Sequence, residues 1–80
     1  MKLLVRNLSR ETTQSELTAL FAEFGMVSAC TLVMDKATGK SKGFGFVEMP
    51  KNIDAYNAIK GLNAKKIGGS VIRVKEAEAD

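Results

Sequence analysis

Residues 42–49, Lys-Gly-Phe-Gly-Phe-Val-Glu-Met, restrict the possible folds more than any other stretch of the chain. Written as a strand, they alternate between two unlike surfaces, because successive side chains point to opposite faces. Gly43, Gly45, Val47 and Met49 make one face, small or apolar and suited to packing under a helix. Lys42, Phe44, Phe46 and Glu48 make the other. A strand that only fills a core turns its largest aromatics inward and its charges outward. Here rings and charges share one surface, so the strand belongs in a sheet that is covered on one side and open on the other. Flat rings beside a cation suit a single-stranded nucleic acid, in which every base offers a π-face and every nucleotide a phosphate.

The flanking periodicities supply such a sheet. Residues 2–7 predict a first strand, with Leu3 and Val5 on one face and Leu4 and Arg6 on the other. After a polar loop, Thr13 and Glu16 read as a capping box. Leu17, Leu20, Phe21 and Phe24 then follow the i, i+3, i+4, i+7 spacing of a helix with one buried face, and Gly25 is its expected C-terminal cap. Phe21 and Phe24 are core residues on this spacing. Residues 27–34 predict a second strand, with Val27, Cys30 and Leu32 toward the helices and Thr31 and Val33 on the open side. The change of phase between Val27 and Cys30 predicts a bulge. Asp35, Thr38 and Gly39 are turn residues of the loop that leads into residues 42–49. Pro50 breaks the strand, and Asn52 is the expected N-cap of a second helix over 53–61, with a stripe of Ala55, Ala58, Ile59 and Leu62. Tyr56 lies beside that stripe as a partly buried packing residue. Residues 63–70 are a turn region with Ile67 inward and a tight bend at Gly68-Gly69. The last strand is 71–75, with Ile72 and Val74 inward and Val71, Arg73 and Lys75 outward. Residues 76–80 form a short frayed tail.

Elements in this order, β-α-β-β-α-β, define an α+β, ferredoxin-like (split βαβ) fold, with a four-stranded antiparallel sheet and two helices on one face. Eighty residues make a single domain, 1–80, with an ordered part of about 2–76. The one cysteine excludes an intramolecular disulfide, and with no histidine the usual zinc sites cannot be built, so neither a metal nor another cofactor is expected. Cys30 is expected in the core. No apolar run approaches a membrane span, and residues 1–6 are too short for a signal peptide. The expected location is cytoplasmic, or nuclear in a source that has a nucleus.

The 42–49 stretch resembles the longer signature of the RNA recognition motif, Lys/Arg-Gly-Phe/Tyr-Gly/Ala-Phe-Val-x-Phe/Tyr, at seven of eight positions counting the free one. Met49 stands in place of the last aromatic; it points inward and bears on packing. Residues 3–8, Leu-Leu-Val-Arg-Asn-Leu, resemble the family's shorter motif, aliphatic-aromatic-aliphatic-x-Asn-Leu. Leu4 stands where that motif carries a stacking aromatic, which removes one of about three rings from the expected platform. The resemblance extends over nearly the whole chain and implies the strand order 4-1-3-2, with the two motif strands side by side in the centre.

The resemblance also implies binding of single-stranded RNA on the open face, without catalysis. Phe44 is then expected to stack on a base and Phe46 to pack against a base or ribose. Arg6, Lys42 and Arg73 meet phosphates or base edges, and Lys75 contacts bases from the side. Lys36 and Lys40 track the backbone. Leu4, Thr31 and Val33 complete the surface. A net charge of +3 favours an anionic partner. Single-stranded DNA is included as a partner, since stacking and charge do not require a 2′-hydroxyl. A monomer is expected, with weak self-association through the open face left open. Two other classes compete. Leu4 leaves room for a protein-interaction module on the same fold. Small acyl-phosphate hydrolases share a related topology, but the loop from Leu8 to Thr13 lacks the glycine-rich anion nest that their chemistry requires.

Overall fold

A computed structural model of the protein describes residues 1–77. The chain runs through β1 (Lys2–Arg6), α1 (Gln14–Ala22), β2 (Ala29–Met34), β3 (Ser41–Glu48), α2 (Asn52–Leu62), β4 (Lys66–Ile67), β5 (Ser70–Val71) and β6 (Arg73–Glu76). Four strands form one antiparallel sheet in the order β2-β3-β1-β6. Counted along the main sheet, this is the expected order, and the fold is the ferredoxin-like β-α-β-β-α-β arrangement. The short β4 and β5 pair with each other in a separate hairpin.

Strand alternation places the core on one side of the sheet. Leu3, Val5, Val47, Met49, Ile72 and Val74 are buried there against Leu17 and Phe21 of α1 and Ala55, Ala58 and Leu62 of α2. Each large apolar side chain removed from water in this way contributes about 1.5–3 kcal/mol. Met49 fills its inward position without the family's aromatic. Thr13 caps α1 as expected: its Oγ1 accepts from the Glu16 N–H at 3.1 Å, and the Glu16 carboxylate reaches back to the Thr13 N–H. Phe24 packs against the core at the end of α1. Its ring lies 2.4 Å from where a Cβ on Gly61 would stand, so the glycine of α2 makes room for it.

Several boundaries differ from the sequence expectation. Helix α1 ends at Ala22 with Glu23 as its C-cap, because the Phe24 N–H bonds to the Phe21 carbonyl at 3.0 Å and closes the last turn early. Gly25 lies past that cap. Asn52 is inside α2 rather than capping it; the Ala55 N–H already bonds to the Lys51 carbonyl at 3.1 Å, and Lys51 is the cap. Strand β1 stops one residue short, at Arg6, because Asn7 turns to φ 58°. Strand β2 starts only at Ala29, since Ser28 directs both its N–H and its hydroxyl to the Glu48 carbonyl. The irregularity expected near Val27 falls instead between Leu32 and Met34.

The last strand is also broken. Val71 pairs with Lys66, whereas Arg73 pairs with Arg6, and between them Ile72 exchanges backbone bonds with Ala64 and Lys65. Gly68 and Gly69 both take positive φ, 58° and 86°, as a two-residue hairpin turn of type I′ requires. Glu76, expected in the frayed tail, closes β6 opposite Leu3, and the Ala77 N–H bonds to the Lys2 carbonyl. The remainder of that tail, 78–80, lies outside the described residues. Tyr56 is 48% exposed rather than partly buried. It follows Ala55 by one position, and on a helix that step turns it away from the buried stripe. Cys30 is only partly buried, packed against the edge of the core.

Candidate nucleic-acid interface

The register of the sheet lines up the residues of the open face. Thr31, Phe46, Leu4 and Lys75 stand directly opposite one another across β2, β3, β1 and β6. Arg6 and Arg73 face each other two residues further along β1. Leu4, Val33, Phe44 and Phe46 are half-buried, while Arg6, Thr31, Lys42, Arg73 and Lys75 are exposed. Nine of the eleven residues singled out from sequence therefore share one surface, opposite the core. Lys36 and Lys40 do not join it. They project from the loop after β2, which Asp35 holds by accepting from Ala37 N–H on its side chain and from Gly39 N–H on its carbonyl. Lys40 lines a different groove, with Thr12, Gln14 and Met34, at the edge strand β2.

The two rings are in contact edge to face, with centroids 6.3 Å apart and planes at 87°. Such a pair adds about 0.5–1.5 kcal/mol beyond its buried area. Rings at right angles cannot both lie parallel to one surface, so a base stacked on either meets the other from a different side. Lys2 places its ammonium 4.7 Å from the centroid of Phe46. Sequence reasoning missed this residue, although the same alternation that turns Leu4 and Arg6 outward also turns Lys2 outward. An exposed contact of this kind is worth about 0.5–1 kcal/mol.

Both glycines of β3 have a structural cause. Leu32 pairs with Gly45 but Met34 pairs with Ser41, so Lys42, Gly43 and Phe44 stand against the single residue Val33. This bulge requires φ 85° at Gly43, a value that glycine adopts without steric cost. The Gly43 N–H donates to Ser41 Oγ at 3.0 Å and its carbonyl accepts from Leu8 N–H at 2.8 Å. A Cβ on Gly45 would lie 2.6 Å from the Thr31 carbonyl oxygen. The bulge places Lys42 and Phe44 in the unpaired stretch at one end of the platform, and the missing Cβ on Gly45 lets β2 approach closely.

Among the described residues, no group of three or more His, Cys, Asp or Glu side chains could hold a metal ion. Among the described residues, no helix is long and apolar enough to cross a membrane.

The model of one protein family, the RNA recognition motif, matches residues 3–73. The chain is 41% identical over 78 residues to a Nostoc sp. protein named as an RNA-binding protein, RbpA, a match that covers 98% of this chain and 76% of that one. Its structure resembles the crystal structure of the RNA-binding protein PG1, with a TM-score of 0.95 and 38% identity, over 100% of this chain and 96% of the other. It also resembles the Sxl-lethal protein in a complex with RNA, with a TM-score of 0.93 and 33% identity, where it covers 99% of this chain and 47% of the longer one.

Proposed function

The chain belongs to the RNA recognition motif family, and on that premise we propose that it binds single-stranded RNA on the open face of its sheet, without catalysis. The observation that carries this is the pair Phe44 and Phe46, left half-exposed on the face away from the core and bordered by Arg6, Lys42, Arg73 and Lys75. A fold that buries its apolar residues elsewhere leaves two rings in water only at a cost, and a base restores what they lose. Phe44 stacks on one base, and Phe46 packs against the next base or its ribose. Lys42, Arg6 and Arg73 meet phosphates or base edges, Lys75 contacts a base from the side, and Lys36 and Lys40 follow the backbone beyond the platform. The relatives' names and the RNA-bound neighbour support the ligand class. Single-stranded DNA fits the same chemistry with fewer contacts.

With one ring replaced by Leu4, binding is weak, in the micromolar range or above, and strongly dependent on salt. An amide NMR titration with a mixed-sequence RNA of about eight nucleotides tests this. Shifts concentrated at residues 2–6, 42–48 and 71–77 that shrink as salt rises are the expected result. Stationary amides across several RNAs at low salt would overturn it. Leu4 itself favours a second reading, a protein partner on the same face; in that case Phe44→Ala leaves RNA titrations unchanged and abolishes the protein contact.

A further inference from the structure

An open groove of about 330 Å³ lies at the end of the platform, where β1 runs out beside the bulge of β3. Its walls carry three cations, Arg6, Arg10 and Lys42, and no acidic side chain; Phe44 forms its boundary with the open face. Arg10 comes from a loop that sequence reasoning passes over, and the backbone brings it there. Asn7 takes φ 58° and its side-chain amide donates to the Val71 carbonyl at 2.7 Å, which turns the chain sharply after Arg6. The Leu8 N–H then pins the loop to Gly43 of the bulge, and Thr12 N–H closes a tight turn onto the Ser9 carbonyl at 3.0 Å with Arg10 inside it. Glu11, the acid next in sequence, lines only the neighbouring groove, which Arg10 borders as well. Arg10 is exposed, and three like charges around one groove repel each other until an anion enters.

We propose that Arg10 is a further RNA-binding residue: beside Arg6 and Lys42, given to phosphates or base edges above, it holds one backbone phosphodiester of a strand whose base lies on Phe44. The inference rests on the RNA-binding reading above and adds a residue to it. A guanidinium suits the role because its fork of donors matches two phosphate oxygens at once. The groove is continuous with Phe44, so a strand stacked on that ring passes its phosphate over the three cations.

The test compares wild type, Arg10→Gln, Arg10→Lys and Phe44→Ala by fluorescence anisotropy with an eight-nucleotide RNA over a range of salt. Loss of one phosphate contact to a single strand lowers the salt slope by about 0.7. Arg10→Gln is therefore expected to bind more weakly at about 50 mM salt, with the gap narrowing roughly threefold by about 200 mM. Arg10→Lys, which keeps the charge, should recover most of the slope. If Arg10→Gln matches wild type in affinity and slope while Phe44→Ala weakens binding, the groove proposal is wrong and the platform stands. Should the protein bind no RNA at all, inorganic phosphate serves as the probe. Saturable shifts of the Arg6 and Arg10 Nε–H signals in wild type, absent from Arg10→Gln, then uphold an anion site; their absence rejects it.

Discussion

Leu4→Phe should turn a weak binder into a tighter one. Leu4 sits in the centre of the open face, opposite Phe46 on β3 and opposite Lys75 on β6, and is half-buried by those neighbours. Directly opposed side chains on antiparallel strands hold their Cβ atoms about 4.5–5.5 Å apart, so a ring at position 4 reaches both Phe46 and a base lying above it. A base stacked on an aromatic is worth roughly 1–3 kcal/mol relative to alanine. Leucine already supplies part of that by apolar contact; taking half leaves a gain of about 0.5–1.5 kcal/mol, or roughly two- to twelve-fold in Kd. The fold should gain as well, by about 0.2–1 kcal/mol, since an aromatic cross-strand pair replaces an aliphatic one. Anisotropy with a labelled RNA at fixed salt reads the first quantity and urea denaturation the second. A variant that becomes more stable yet binds no more tightly would refute the reasoning, because it would show that no base occupies the space above Leu4.

Three further substitutions separate binding from folding. Phe44→Ala should weaken RNA binding by about 1–3 kcal/mol and lower stability by only about 1 kcal/mol, the edge-to-face contact with Phe46; anisotropy and thermal melting read the two, and unchanged affinity would count against the platform. Gly45→Ala puts a methyl 2.6 Å from the Thr31 carbonyl oxygen, a backbone atom that can move only with β2. It should destabilise by about 1–3 kcal/mol in urea and broaden the amide signals of β2, whereas wild-type stability would show that the strands can separate freely. Gly61→Ala sets two effects against each other: about 1 kcal/mol of helix propensity gained and an overlap with the Phe24 ring, which stands 2.4 Å from the new methyl. The overlap should win by up to about 2 kcal/mol, and a stabilised variant would mean that the ring swings aside at little cost.

What was legible in the sequence was the side each residue faces. Leu3 and Val5, Val47 and Met49, Ile72 and Val74 are buried because water and core demand opposite chemistry from adjacent positions. Where the strands and helices end was much less legible, because backbone hydrogen bonds decide it and most residue types can make them. Ser28 bonding to Glu48 delays β2, and Ile72 bonding to Ala64 and Lys65 splits the last strand. The candidate site divides in the same way. Leu4, Phe44 and Phe46 follow from alternation alone. The ammonium of Lys2 over Phe46 needs the register of β1 against β3. Arg10 needs the left-handed turn at Asn7, a conformation that asparagine tolerates better than most residues but does not by itself require.

The bulge in β3 explains why alternation survived at all. Between Leu32–Gly45 and Met34–Ser41 the pairing shifts by two residues. A shift of one residue would have turned every side chain beyond it to the other face, sending Lys42 into the core and Ser41 into water. A shift of two restores the phase, so Ser41 is buried and Lys42 exposed, as in a regular strand. The irregularity is therefore invisible to any reasoning from polarity, yet it shapes the site, because it takes Lys42 and Phe44 out of the regular pairing with β2 and offers the Gly43 carbonyl to Leu8. Lys-Gly-Phe-Gly-Phe thus holds two kinds of information. The rings and the lysine say what touches the ligand. The glycines say how the backbone under them must bend and how closely its neighbour must approach, and only the first kind can be read without the fold.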